Sequence, residues 1–91
     1  MNEITEVSII PMQRKEDDGL RGLASCVINN KFYIGSIGIY TKLKGGYRLT
    51  YPNKKSGANS INIFHPIDKE LGNNIEQAII KEYENLLTKD L

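Results

Sequence analysis

The side chains that could do chemistry in this 91-residue chain are the lysines and arginines of its middle third. Between positions 31 and 67 the chain has six cationic residues and no aspartate or glutamate. The first 30 residues carry a net charge of −2 and residues 68–91 carry −3. The positive and negative charges are therefore separated along the chain, although the formal net charge is only +1. This pattern predicts one strongly positive surface on a nearly neutral protein, a surface suited to a polyanion.

Five of these cations are the candidate binding residues, because the predicted elements place them along one line. A strand over 47–51 spans roughly 13–17 Å, with a lysine-bearing loop at each end and an arginine between. Such a stripe could follow the phosphate backbone of a nucleic acid, each contact releasing counterions. The alternative is a solvated basic rim that protects an edge strand from aggregation; the lack of acids favours polyanion binding. The five are Lys42, Lys44, Arg48, Lys54 and Lys55.

Four tyrosines accompany these cations and could stack bases, although core packing is the commoner role for most of them. They are Tyr33, Tyr40, Tyr47 and Tyr51.

The chain has few residues that could act as a catalytic base, a nucleophile or a metal ligand. The chain has one histidine, His65, and one cysteine, Cys26, whereas a metal site needs three or four ligands and a catalytic base needs placed partners. Cys26 lies in an apolar run and is expected to be a core residue, and His65 a partly buried, hydrogen-bonded imidazole. No glycine pattern has phosphate-loop spacing. The sequence therefore predicts no catalytic residue, metal site, cofactor or small-molecule substrate.

The composition is that of one soluble globular domain spanning residues 1–91, with 40% hydrophobic and 25% charged residues. No window approaches the roughly 18 apolar residues of a membrane-spanning helix, and the first residues lack the features of a secretion signal. The single cysteine cannot form an internal disulfide. We therefore expect a cytoplasmic protein without a membrane partner.

The elements that must position the cations are predicted from periodicity. Alternating apolar residues predict antiparallel strands over 4–12, 20–28, 32–40, 47–51 and 61–64, and a 3.6-residue period predicts a helix over about 74–88. Asn29 and Asn30 suit a tight hairpin, and Asn73 or Asn74 suits the helix cap. Residues 53–60 are expected to form a polar loop. The predicted fold class is α+β, a small antiparallel sheet of about five strands followed by a C-terminal helix.

The third strand changes its alternation halfway. Phe32 and Ile34 share one parity and Ile37 and Ile39 the other, so a one-residue bulge within 35–38 would put all four on the core face. The fourth strand alternates without a break, which predicts that its tyrosines face the core and that Arg48 faces away from it.

Several segments of the chain resemble the SpoVG family (stage V sporulation protein G) over roughly residues 4–87. The resemblance implies a small antiparallel sheet with a C-terminal helix, homodimers formed through strands, and site-selective binding of DNA, RNA or both by a non-enzymatic bacterial regulator of sporulation or septation. The family's basic pair after a proline corresponds to Lys54 and Lys55. The segments are LRGLASCVINNKFYIGSIGI (20–39), YPNKK (51–55), FHPI (64–67) and IEQAIIKEYENLL (75–87).

The chain departs from the family pattern at two places. Family members carry an arginine where this chain has Gly38, and an Arg-Asp pair where it has Ile61 and Asn62. Two expected cations are therefore missing, while Lys42 and Lys44 are present in the turn before the fourth strand. Target choice in the family is also associated with residues 68–74. The alternative function is a protein-interaction module in cell division that uses a sheet edge or the wide apolar face of the helix.

Overall fold

The computed structural model describes residues 2–12 and 18–89, and the predicted connection over 13–19 lies largely outside them. Within these residues, four strands form an antiparallel sheet in sequence order and two form a separate ribbon, which confirms the α+β class. The elements are β1 (Ile4–Pro11), β2 (Leu20–Ile28), β3 (Phe32–Thr41), β4 (Tyr47–Thr50), β5 (Asn53–Ser56), β6 (Asn59–Asn62) and α1 (Lys69–Lys89).

The core lies between α1 and one face of the four-stranded sheet. Every second residue of β2 is buried, as alternation requires of a central strand. Helical spacing places Ile75, Ile79 and Tyr83 on the face of α1 that meets the sheet. The buried sheet residues of this core are Ala24, Cys26, Ile28, Ile34, Ile37 and Ile39.

A bulge in β3 explains how both halves of that strand reach the core. Ala24 pairs with Ile37 and Cys26 pairs with Ile34, so β3 has one more residue than β2 over this interval. Ser36 lies in the left-handed region, with φ 58°. The predicted bulge is confirmed. The prediction is wrong for Phe32, which is 63% exposed, because β4 pairs only with the far end of β3 and leaves this end without a neighbour on that side.

Among the described residues, no helix packs on the opposite face of the sheet. Ile10 is 65% exposed and Tyr33 is 72% exposed, and both line a shallow depression on this face with Leu23. We call this surface the open face.

The helix begins five residues earlier than predicted. The Oδ2 atom of Asp68 accepts a hydrogen bond from the backbone N–H of Leu71 at 2.8 Å, which is the geometry of an N-cap. Asn73 and Asn74 therefore lie inside α1, and their predicted capping role is wrong. The extra turn brings Leu71 against the core.

Residues 53–62 form a β-ribbon where a polar loop was predicted over 53–60, and of the predicted strand over 61–64 residues 61 and 62 join this ribbon rather than the main sheet. Pro52 ends β4 because it has no N–H to donate to the next strand. Gly57 (φ 63°) and Ala58 make the two-residue turn that closes the ribbon, and a positive φ at the first turn position favours glycine.

Candidate nucleic-acid interface

The turn between β3 and β4 presents two of the candidate lysines. The N–H of Lys42 donates to the carbonyl of Gly46 at 3.0 Å, and the N–H of Gly45 donates to the carbonyl of Lys42 at 3.1 Å. These bonds close the turn, and Lys42 and Lys44 are both exposed on it. Leu43 stands between them and is fully exposed.

Arg48 meets both lysines in a groove of about 700 Å³ at this end of the sheet. Arg21, which is not one of the five predicted residues, also lines the groove. The register shows why: Leu20 pairs with Tyr40 but Gly22 with Ile39, so Arg21 is the extra residue of a bulge in β2. No local sequence pattern places Arg21 beside the β3–β4 turn. We call this site the cationic groove, and it is lined by Arg21, Lys42, Lys44 and Arg48, with Asp18 at its margin.

Arg48 is held in place by an aromatic ring. Its Cζ atom lies 4.8 Å from the centroid of the Tyr40 ring, which is cation–π geometry. Arg48 and Tyr40 are directly paired across β4 and β3. The guanidinium therefore rests on the sheet with its N–H groups available to a phosphate, as a planar fork suits.

Gly38 provides the space for this arrangement. A Cβ at Gly38 would lie 2.9 Å from Cε2 of Tyr40 and 2.5 Å from Oγ1 of Thr50, both closer than real Cβ atoms approach. The resemblance implies an arginine at this position. Here Gly38 leaves space for the Tyr40 ring, and Arg48 of the neighbouring strand stacks on that ring.

Lys54 and Lys55 lie on the ribbon, beyond the other end of β4. Every residue from 53 to 63 is exposed. Among the described residues, backbone hydrogen bonds tie the ribbon at its base, where the carbonyl of Pro52 accepts from the N–H of Ile63 at 3.0 Å and of Phe64 at 3.4 Å, and Phe64 packs against the core. The ribbon therefore projects from the domain.

The five predicted residues thus form two groups rather than one continuous patch. Lys42, Lys44 and Arg48 come together in the cationic groove, and the two ribbon lysines stand apart from it at the opposite end of β4. Within residues 2–12 and 18–89, no ion pair joins any of the five to a carboxylate. All five charges are available to an anionic partner.

The tyrosines divide between the core and the surface. Tyr47 packs edge-on against Tyr83, with ring centroids 5.2 Å apart and an interplanar angle of 78°. Burial raises the pKa of Tyr51 to about 12. Burial also raises the pKa of Tyr83, and Tyr47 adds to the rise while the charge of Arg21 opposes it. Of the four candidate tyrosines, Tyr33 and Tyr40 are the two outside the core cluster.

The remaining candidates for chemistry are isolated. Cys26 is fully buried, and burial raises its pKa, so little thiolate forms at neutral pH. His65 is exposed, and the expectation of a partly buried imidazole is wrong. Among the described residues, no group of three or more His, Cys, Asp or Glu side chains could hold a metal ion. The helix found in those residues is too polar to span a membrane.

Comparison with known proteins gives a consistent family match. A family model described as SpoVG matches residues 1–85. A protein of Onion yellows phytoplasma (strain OY-M) named "Putative septation protein SpoVG" is 31% identical over 85 residues, which cover 93% of this chain and 84% of that protein. A protein of Thermoanaerobacter sp. (strain X514) with the same name is 28% identical over 83 residues, which cover 90% of this chain and 87% of that protein.

Proposed function

The chain belongs to the SpoVG family, and we propose that it acts in septation or sporulation as a dimeric, non-enzymatic, cytoplasmic regulator that binds nucleic acid. The relatives reported above are named as septation proteins, which supports the cellular role. The molecular role is supported by the surface of this chain.

The observation that carries the proposal is the set of exposed cations at both ends of β4, none of which is ion-paired among the described residues. Lys42, Lys44 and Arg48 share the cationic groove, and Lys54 and Lys55 stand on the projecting ribbon. A nucleic-acid backbone running along β4 would meet cations at both ends of the strand. Each contact would release condensed counterions, so binding would weaken steeply with salt. Phosphate contacts of this kind set orientation and register, not sequence.

Dimerisation is supported by the apolar surface that the protomer leaves uncovered. Ile10, Tyr33 and Ile63 are each more than 60% exposed around the open face. Within residues 2–12 and 18–89, β1 and β4 are the two edge strands of the sheet. A chain of this length buries a modest fraction of its apolar surface, so a second copy would add substantially to its stability.

The experiment is a gel-shift titration of the full chain against DNA duplexes and single-stranded RNA over a range of salt concentrations. Replacing Lys54 and Lys55 with alanine should weaken binding to every sequence and lower the salt slope by up to about 0.9 per lost contact on duplex DNA. Lys81→Ala is the matched control, because Lys81 is also an exposed lysine and lies on α1. Unchanged affinity and slope in the double variant would contradict the proposal, as would an equal loss in the control.

The same open face favours a second candidate, a protein-interaction module in cell division. Two exposed apolar side chains, Ile10 and Tyr33, line an uncharged depression on this face, which suits a protein partner. The two candidates differ in a simple purification. Nucleic acid retained at low salt and released at high salt supports the regulator, and its absence at low salt supports the interaction module.

A further inference from the structure

The β5–β6 ribbon has an amino-acid composition that no contact within the protomer explains. All residues from 53 to 63 are exposed, and the strands read NKKS and NSIN. An isolated two-stranded ribbon is marginally stable in water. Its sequence nevertheless holds three asparagines, two lysines and two serines between positions 53 and 62. These side chains are the donors and acceptors that read base edges.

The pairing register separates these side chains into two faces. Asn53 lies opposite Asn62, and Lys55 lies opposite Ser60. Because side chains alternate along a strand, these four share one face, which we call the polar ribbon face, and Lys54 points to the other with Ile61. The polar ribbon face therefore presents two amides, one ammonium group and one hydroxyl group, and no carboxylate or apolar side chain.

The dimensions of the ribbon fit the major groove of B-form DNA. That groove is about 12 Å wide and admits a two-stranded ribbon. Four residues of a strand extend about 13 Å, which corresponds to about four base pairs at about 3.4 Å each. The major groove of an RNA helix is too deep and narrow for side chains to read. The favoured ligand is therefore duplex DNA.

We propose that the β5–β6 ribbon enters the major groove of duplex DNA and that Asn53 and Asn62 read adenines there. An asparagine amide donates to N7 and accepts from the N6 amino group of adenine, a bidentate pair that no other base offers. Lys55, on the same face, adds a positive charge that attracts the ribbon to the phosphate-lined groove, and the flexible side chain of Lys54 on the other face can contact a phosphate at the rim. This inference rests on the proposed function, in which the cationic groove holds the backbone.

The test is selection from a random duplex pool with the full chain, followed by affinity measurements on the enriched sequence. The wild-type chain should enrich adenine at defined positions. In the Asn53→Ala/Asn62→Ala variant, discrimination at those positions should fall by about 5- to 150-fold per lost bidentate pair, while the salt slope stays unchanged. Asn85→Ala, an exposed asparagine of α1, is the matched control and should select the wild-type sequence. Asn62→Gln should keep part of the adenine preference, because glutamine makes the same pair.

A second measurement identifies the groove. Substituting 7-deazaadenine at the enriched positions removes only a major-groove acceptor, and it should weaken wild-type binding without affecting the double alanine variant. If both proteins select the same bases, or if 7-deazaadenine has no effect on either, the inference is overturned and the proposed function stands. The inference is also overturned if the variant changes only the oligomeric state, since the ribbon would then pair with a second copy. If the wild-type chain binds no nucleic acid at low salt, the proposed function fails and the inference fails with it.

Discussion

Replacing Gly38 with alanine should destabilise the sheet at the point where the cationic residues are anchored. Gly38 is buried in β3 between Leu23 of β2 and Thr50 of β4. The added Cβ would lie 2.5 Å from Oγ1 of Thr50 and 2.9 Å from Cε2 of Tyr40. Both neighbours would have to move, and the Tyr40 ring that carries Arg48 would move with them.

The size of the effect follows from two opposing contributions. Overpacking of this kind costs about 1–3 kcal/mol. Replacing glycine in an ordinary strand conformation returns about 0.4–1 kcal/mol through the entropy of the unfolded chain. The free energy of unfolding should therefore fall by about 0.5–2 kcal/mol in Gly38→Ala, measured by urea denaturation followed by circular dichroism.

Gly35→Ala is the matched control, because it is also a glycine of β3. Its Cβ would meet the hydroxyl of Tyr33 at 2.9 Å, but Tyr33 is 72% exposed and its ring can swing away. This variant should remain within about 0.5 kcal/mol of the wild type, as surface substitutions do. Thr50→Ala in the Gly38→Ala background should recover part of the loss, because it removes the closest atom. A Gly38→Ala variant as stable as Gly35→Ala, or a double variant with no recovery, would refute the reasoning.

Three further variants test other parts of the structure. Asp68→Ala should cost about 1 kcal/mol through the lost helix cap, whereas Asn73→Ala should stay within about 0.5 kcal/mol; an equal loss in both, measured by thermal unfolding, would contradict the cap at Asp68. Burial raises the pKa of Tyr51 to about 12, above its usual value near 10, so the fold favours the neutral phenol. Its contribution to stability is complete below pH 10 and is lost as the pH rises towards 12. Tyr51→Phe should therefore flatten the alkaline decline in the urea midpoint, and an unaltered decline would exclude Tyr51 as its source. Arg48→Lys should keep the salt slope of DNA binding but weaken affinity, because lysine lacks the planar stacking group; full retention of affinity would show that the Tyr40 contact does not contribute.

The strand pairing of the main sheet could be predicted where the alternation of apolar residues shows which face of a strand is buried. The change of parity between Ile34 and Ile37 could be reconciled with one core face only by an inserted residue, and the structure has that residue at Ser36. The turn at Asn29 and Asn30 was equally predictable, since both residues tolerate positive φ and adopt 53° and 55°.

The ribbon and the start of the helix could not be predicted by the same means. The side chains of residues 53–62 are all exposed, so these residues show no apolar alternation from which their pairing could be predicted. The Gly72-Asn73-Asn74 sequence has weak helix propensity, and packing of Leu71 against the core overrides it. Arg21 joined the site through a bulge in β2, a feature that only the strand register reveals.

The most direct test of nucleic-acid binding by this surface is the slope of log Kobs against log salt concentration on one DNA duplex. The wild-type chain is compared with a variant in which all five candidate cations are alanine. If each of the five holds one phosphate, the wild-type slope should be steeper than that of the variant by about 4.5 per protomer. The five positions are Lys42, Lys44, Arg48, Lys54 and Lys55. A variant that folds, binds with wild-type affinity and keeps the wild-type slope would show that the phosphates are held elsewhere.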